Sequence, residues 1–244
     1  MRIFLAGATG AIGRVLTPLL VADGHSVTGT TRSAAKSAML RGLGADPAVV
    51  DAFDADALTR AMISARPDVV VHQLTDLPQV LAPPAMPAAL EANARLRMIG
   101  TRNLMSAAGA AGARRVVAQS IAFVYAAGAG PRAEGDPLAV APDGSYSNTL
   151  RGVLALEEQV LGAAGIEGIV LRYGRLYGPG TWYASGPSGP GGLHVDAAAN
   201  AARLAITRGA PGIYNIADDD GAYAIDKARG ELAFDPAFRC HSKR

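Results

Sequence analysis

A chain of 244 residues can bury one good core with at most a small appendage. Half of it is hydrophobic but only 5% aromatic, an Ala-, Val- and Leu-rich apolar content suited to helices packed closely on a sheet. The formal charge of +2, from 23 basic and 21 acidic residues, is too balanced to argue for nucleic acid or a membrane surface as partner.

The single cysteine, Cys240, excludes an intramolecular disulfide and makes an intracellular compartment the default. The apolar stretch before Gly7 is too short for a signal peptide or a membrane span. A soluble, cytoplasmic protein is expected.

In chain order, residues 3–6 form a short apolar run ended by glycines, as a buried parallel strand does. Residues 12–22 place Ile12, Val15, Leu16, Leu19 and Leu20 at helical spacing, with Pro18 inside, where it weakens a helix. Residues 26–31 read as a second strand, followed by a polar helix over 33–43 with Ser33 as N-cap. The alternation continues with strands at 48–51, 69–73, 115–120, 168–172 and 212–216. Helices fall at 56–65, 88–111, 149–164 and 196–208. Strands separated by helical segments predict βαβ units, hence an α/β, doubly wound parallel sheet of Rossmann type. Residues 126–144 and 178–192 are rich in Gly and Pro and read as loops at the carboxyl ends of strands, positioned to act as lids. The last four residues, from His241, are expected to fray.

Gly7, Gly10 and Gly13 fall between a strand and a helix. There Gly7 permits a tight turn, Gly10 clears room for a diphosphate, and Gly13 lets helix and strand approach. Ala11, Ile12 and Gly13 offer free N–H groups, and Thr9 adds a hydroxyl. A turn that merely packs is the alternative. At the end of the second strand an NAD site usually carries an acid for the ribose 2′-hydroxyl. Here Arg32 stands between Thr31 and Ser33 with no carboxylate beside it in sequence, which favours the 2′-phosphate of NADP, with NAD the alternative. Arg32 can equally be a solvated surface residue. Asp51 can accept from the adenine amino group while Ala52 donates, or Asp51 and Asp54 can simply cap the next helix. Gln73, Leu74 and Thr75 are placed to border the nicotinamide half.

These residues resemble the extended or atypical short-chain dehydrogenase/reductases of the NAD-dependent epimerase/dehydratase group. Besides the glycine turn, the likeness rests on Gly100-Thr101-Arg102-Asn103-Leu104, on Ser120 through Tyr125, on residues 171–180, and on Leu193-His194-Val195-Asp196-Ala197. It spans about residues 1–217. The resemblance implies catalysis by a Tyr-x-x-x-Lys pair on the helix after strand five, the Lys lowering the Tyr pKa. The aligned positions are Leu150 and Leu154, Tyr146 lies one turn earlier, and no lysine occurs between Lys36 and Lys227. The family's catalytic Ser/Thr position falls on Ile121, beside Ser120. The substrate lobe also looks short, implying a nucleotide-binding core over 1–177, then a reduced substrate-cap region and C-terminal elements over 178–244.

For chemistry the candidates are Ser120, as donor to a substrate carbonyl, and Tyr146, as proton donor. Tyr125 and Tyr173 can line a pocket or simply pack. Arg97 and Arg172 read as surface ion pairs, or as anchors for an anion. His72 reads as a satisfied core histidine. His25, His194, His241 and Cys240 lack metal-ligand spacing, so no metal is expected. The expected activity is that of an NADP(H)-dependent oxidoreductase on a small carbonyl, imine or sugar-like metabolite. The alternatives are a non-redox dinucleotide-binding regulator and a lyase or cyclase on the same scaffold. A homodimer through the Ala-rich helices 88–111 and 149–164 is the partner the resemblance implies.

Overall fold

The structure is a computed structural model, and it describes residues 1–78, 80, 83–140 and 145–240. The end of the chain from His241 and residues 141–144 of the first expected loop lie outside the described residues.

Seven parallel strands form the main sheet in the order β3-β2-β1-β4-β5-β6-β9. They are β1 (Arg2–Ala6), β2 (Ser26–Thr31), β3 (Asp46–Val49), β4 (Val69–His72), β5 (Arg115–Ile121), β6 (Glu167–Tyr173) and β9 (Gly212–Ile216). The central strands are apolar because helices cover both faces. One layer holds α1 (Ala11–Ala22), α2 (Ser37–Gly42) and α7 (Val195–Ala205), with Leu16, Leu20, Leu40 and Ala201 packed on Leu5, Val71 and Leu171. The other holds α3 (Ala55–Ala65), α5 (Thr101–Ala110) and α6 (Ser145–Leu161), with Met62, Leu104 and Leu156 packed on Phe4, Val70 and Val116. The strand order reverses between β1 and β4, and a crevice for ligands opens beyond the carboxyl ends of the strands there.

Several elements differ from expectation. Pro18 sits within α1, tolerated because it faces solvent, where the carbonyl it leaves unbonded can be hydrated. The long helix is two helices, α4 (Met86–Arg95) and α5, joined through a π-helical turn at Leu96–Gly100. The expected helix over 33–43 begins as a 3-10 turn, Ala34–Lys36, and Ser33 makes no side-chain cap. A two-stranded sheet of β7 (Arg175–Tyr177) and β8 (Gly192–His194) was not expected at all. After residue 177, α7 packs on α1 and β9 completes the main sheet. Among the described residues no helix is long and apolar enough to cross a membrane.

Candidate active site

The chain leaves β1 and turns at Gly7, where φ is +89°. A Cβ there would stand 2.5 Å from the Gln73 carbonyl oxygen, and one on Gly13 would stand 2.3 Å from that of Gly7, so neither position admits a side chain. Gly10 is different: the nearest atom to an added Cβ is 3.4 Å away, and the residue is exposed. The Gly7 N–H donates to Thr30 Oγ1 at 3.1 Å, tying the turn to β2. No side chain caps α1, and its first internal bond runs from the Arg14 N–H to the Gly10 carbonyl. The amides of Ala11, Ile12 and Gly13 are thus left at the positive end of the helix, with half-buried Thr9 beside them. This cradle, which a side chain at residue 10 would fill, fits a dinucleotide diphosphate.

On the adenosine side, Arg32 at the end of β2 does not stand free of acids. Its Nη2 lies 3.0 Å from Asp76 Oδ1, in a half-exposed ion pair across the mouth of the turn. Asp76 follows β4, and its own N–H is held by the buried Asn93 side chain of α4 at 2.9 Å. The expectation that no carboxylate opposes a 2′-phosphate at Arg32 is therefore corrected, because topology brings one in from 44 residues away. Asp51 accepts from the Phe53 N–H at 2.9 Å, while Asp54, not Asp51, caps α3 through the Ala57 N–H. The Ala52 carbonyl is held by Asn103 at 2.9 Å, one of the residues that carried the resemblance.

Gln73, Leu74 and Thr75 leave β4 toward the crevice, with Gln73 buried, Leu74 half-buried and Thr75 exposed. Gln73 Nε2 donates to the Tyr173 hydroxyl, and its buried Oε1 has no partner among the described residues. His72 behaves as a satisfied core histidine. The Leu74 N–H donates to its Nδ1, so Nε2–H faces Thr101 Oγ1 at 2.9 Å. Burial, reinforced by the Arg97 charge, lowers its pKa to about 4.

Ser120 does not line the crevice. It is 2% exposed and donates to Glu157 Oε1 at 2.7 Å. Glu157, on α6, also receives two hydrogen bonds from Arg172, at 2.9 and 2.6 Å. Arg172 in turn donates to the Tyr125 hydroxyl at 2.8 Å, and that hydroxyl donates to Asn215 of β9 at 2.7 Å. The substrate contact expected of Ser120 gives way to a place in a buried network. Arg172 and Arg97 are correspondingly not surface residues. Arg97 sits in the π-helical turn, and burial lowers its pKa to about 10, so it stays charged near Glu157 at neutral pH. Tyr173 is fully enclosed, its hydroxyl donating to the Ala198 carbonyl. Glu157 carried no motif, and only the structure reveals it.

Helix α6 shows which residues face the chemistry. Thr149, Val153 and Glu157 lie four apart on its buried stripe, whereas Leu154 is 47% exposed. Glu157 touches the tips of β5 and β6, so Val153 and Thr149 extend the stripe beyond the strand ends. The buried pair on α6 is thus Thr149 and Val153, not the Leu150 and Leu154 aligned from sequence, and neither pairing supplies an acid or a cation. Tyr146, 41% exposed, donates to the Phe123 carbonyl at 3.3 Å. Across the crevice, Trp182 of the strap between β7 and β8 donates to the Pro78 carbonyl at 2.9 Å. No cluster of three or more His, Cys, Asp or Glu among the described residues is arranged to hold a metal.

Comparison with known proteins agrees with this geometry. Residues 3–201 match the NAD dependent epimerase/dehydratase family. The chain is 44% identical over 245 positions to a 3-diazoavenalumate denitrifying reductase of a Streptomyces species, covering 92% of this chain and 78% of the relative. Its fold matches the UDP-glucose 4-epimerase of Thermotoga maritima, solved with UDP-glucose. The TM-score is 0.77 at 17% identity, covering 98% of this chain and 94% of that one. It also matches DesIV, a dTDP-glucose 4,6-dehydratase of Streptomyces venezuelae solved with NAD, with a TM-score of 0.76 at 20% identity, covering 98% and 92%. With the glycine turn, the strand order and a match over most of its length in agreement, the chain belongs to the NAD-dependent epimerase/dehydratase family, as an NAD(P)-dependent enzyme of oxidoreductase, epimerase or dehydratase type.

Proposed function

We propose that the chain is an NADP(H)-dependent reductase that acts on an electrophile needing no proton from the protein, and that a diazo compound is its substrate class. The observation that carries this reading is the stripe Thr149-Val153 on α6, with Ile121 at the end of β5, in place of an acid–base pair. Carbonyl, imine and sugar substrates build negative charge on oxygen or nitrogen during reduction and call for a donor there. The relative named as a denitrifying reductase of a diazo compound supplies the alternative.

The turn at Gly7 to Gly13 holds the diphosphate, Arg32 the ribose phosphate, Asp51 and Ala52 the adenine, and Gln73, Leu74 and Thr75 border the nicotinamide half. When bound, the reduced dinucleotide supplies a hydride, and its transfer to a diazonium carbon breaks the C–N bond, forms C–H and releases dinitrogen with no proton consumed. The chain's own contribution is placement and exclusion of water. Val153, Ile121 and the strap joined by Trp182 to Pro78 keep the reacting carbon in an apolar setting, where hydrolysis of a diazonium is slowed. Tyr146 sits at the rim as a binding contact.

The test is turnover of a 3-diazo-4-hydroxybenzoate with NADPH deuterated at C4, read by mass spectrometry against an enzyme-free control. One deuterium at the former diazo carbon and one dinitrogen per NADPH are expected, with Tyr146→Phe within about threefold of wild type. Absence of turnover despite NADPH binding overturns the reading. A loss of about a hundredfold in Tyr146→Phe would restore a proton donor to the chemistry. We take the enzyme to be a cytoplasmic homodimer, a reading supported by the lone cysteine and by outward-facing leucines on α6.

A further inference from the structure

Beside the crevice, past the end of β5, lies an open cleft of about 390 Å³, within the roughly 300–1,000 Å³ range of small-molecule sites. Three separate stretches build it: the loop after β5 with Phe123, Tyr125 and Arg132, the first residue of β7, Arg175, and the turn after β9 with Tyr223. The parts are held in register. Arg132 exchanges backbone hydrogen bonds with Ala222 and Ala224, and Asn215 of β9 donates to the Arg132 carbonyl at 2.9 Å. Tyr223 lies on the bare backbone of Gly191, where a Cβ would approach the ring to 2.5 Å, and its ring faces Tyr125 at 6.1 Å. Tyr125 is locked in turn by Arg172 and Asn215.

The charges in this cleft are incompletely matched. Arg132 Nη2 is buried without a hydrogen-bond partner, and its Nη1 lies 3.6 Å from Asp136. Its guanidinium rests on Gly128, the side-chain-free spot that admits it. Arg175 stacks 5.0 Å over the Phe123 ring and has no carboxylate within ion-pair distance among the described residues. The other acids nearby are engaged. Asp220 accepts from the Gly191 and Ala222 amides, Glu134 from the Asn215 amide, and Glu157 from Arg172. Glu134 and Asp220 keep their charge but turn it onto backbone amides, so the N–H groups of Arg132 Nη2 and of Arg175 are the donors left for a carboxylate. An unsatisfied buried guanidinium N–H is costly unless a ligand fills it.

We propose that this cleft is the substrate-recognition site for an aromatic monocarboxylate, its carboxylate bound by Arg132 and Arg175 and its ring lying against Tyr125 and Tyr223. The proposal deepens the reductase reading and rests on it only for the ligand being the substrate. With Asp136, Glu134 and Asp220 around the two guanidiniums the cleft has no surplus of positive charge, which disfavours a multiply charged nucleoside diphosphate. Aromatic side chains flanking a pair of arginines also favour a flat anion over an aliphatic one.

Calorimetric titration with trans-cinnamate, cinnamamide, acetate and UDP tests the cleft. Cinnamate has no diazo group, so its binding is independent of the reduction chemistry, and NADPH titration in parallel reports the dinucleotide site separately. Cinnamate is expected to bind at least tenfold more tightly than cinnamamide, acetate or UDP. Arg175→Gln and Arg132→Gln should each remove that preference while leaving NADPH affinity and the melting temperature unchanged. Gly128→Ala, which must push the Arg132 guanidinium aside without removing its charge, should weaken cinnamate several-fold. Equal binding of acid and amide, tighter binding of UDP, no binding of any probe, or insensitivity to both arginine variants would overturn the proposal.

Discussion

The Arg32–Asp76 pair bears on the proposed preference for NADP. Each holds the other at 3.0 Å in a half-exposed pair, so a 2′-phosphate gains the guanidinium only by displacing the carboxylate. A guanidinium–phosphate contact is a charge-assisted pair worth about 1.5–3 kcal/mol, more than an exposed ion pair returns. NADPH is therefore expected to bind more tightly than NADH. Arg32→Ala should weaken NADPH about tenfold and leave NADH within twofold, and Asp76→Asn should strengthen NADPH several-fold. Fluorescence titration of the three proteins checks this, and equal affinities for the two cofactors in wild type would remove Arg32 from the site. His72 makes a second residue-scale prediction. Burial, with the Arg97 charge behind it, keeps the ring neutral down to about pH 4, whereas the unfolded chain protonates it below about 6.5. Its folded pKa is depressed, so the unfolded state binds the extra proton and stability falls as pH drops from 6.5 to 4, by about 3 kcal/mol in all. Urea unfolding across that window should show a steeper acid loss for wild type than for His72→Gln, and parallel curves would contradict the assignment. The glycine turn and the buried place of His72 could be read from sequence because a strand–glycine–helix order and an apolar run show in adjacent residues, even though Gln73 and Thr101, which complete them, come from farther along the chain. Asp76 opposite Arg32 and Glu157 under Ser120 could not, since β4 and α6 bring those partners in from far along the chain.

Elements β5, β6, β9 and α6 are joined at one end by the buried chain Ser120–Glu157–Arg172–Tyr125–Asn215. Such a network costs desolvation to assemble, but breaking it from one side leaves a buried cation alone. Glu157→Ala should destabilise the protein by about 3–5 kcal/mol, against less than about 1 for the exposed Leu154→Ala, as measured by denaturant unfolding. Because Tyr125 hangs from Arg172, the same variant should also weaken cinnamate binding, and a loss below about 1 kcal/mol would show that the network does not hold these elements together. At this scale the central sheet was the most legible part of the sequence, since each buried parallel strand is a continuous apolar run between turn residues. The π-helical turn hid inside an unbroken helical composition, where one inserted residue leaves no periodic trace. Strands β7 and β8, three residues each, are too short for any period to show. Leu150 and Leu154 lie one residue off the buried stripe of Thr149 and Val153, and with neither the Tyr nor the Lys present no side chain marks the register in sequence.

At the scale of the whole molecule, the small residues of α4 and α6 are used within the chain. A Cβ on Gly152 would approach Ala94 Cα to 2.9 Å, so these two helices cross at close range and the small-residue face is already covered. A second copy must therefore meet the outward face. There Leu154 and Leu161, two turns apart on α6, are 47% and 39% exposed, with Met98 of the π-helical turn also exposed at 39%. Fully burying a leucine stabilises by about 1.5–3 kcal/mol, so covering these half-exposed leucines in both copies favours a symmetric contact on this face, with the remaining affinity drawn from the area around them. Sedimentation velocity of the proposed dimer at about 20 µM should give the mass of two chains. The Leu154→Glu, Leu161→Glu double variant, which sets like charges face to face across a twofold axis, should give the mass of one with unchanged circular dichroism. Since the aromatic cleft is built by loops at the carboxyl end of the sheet and not by α6, the monomeric variant should still bind cinnamate as wild type does. A wild-type protein that sediments as a single chain at that concentration, or a double variant that remains paired, would place the contact elsewhere or remove it.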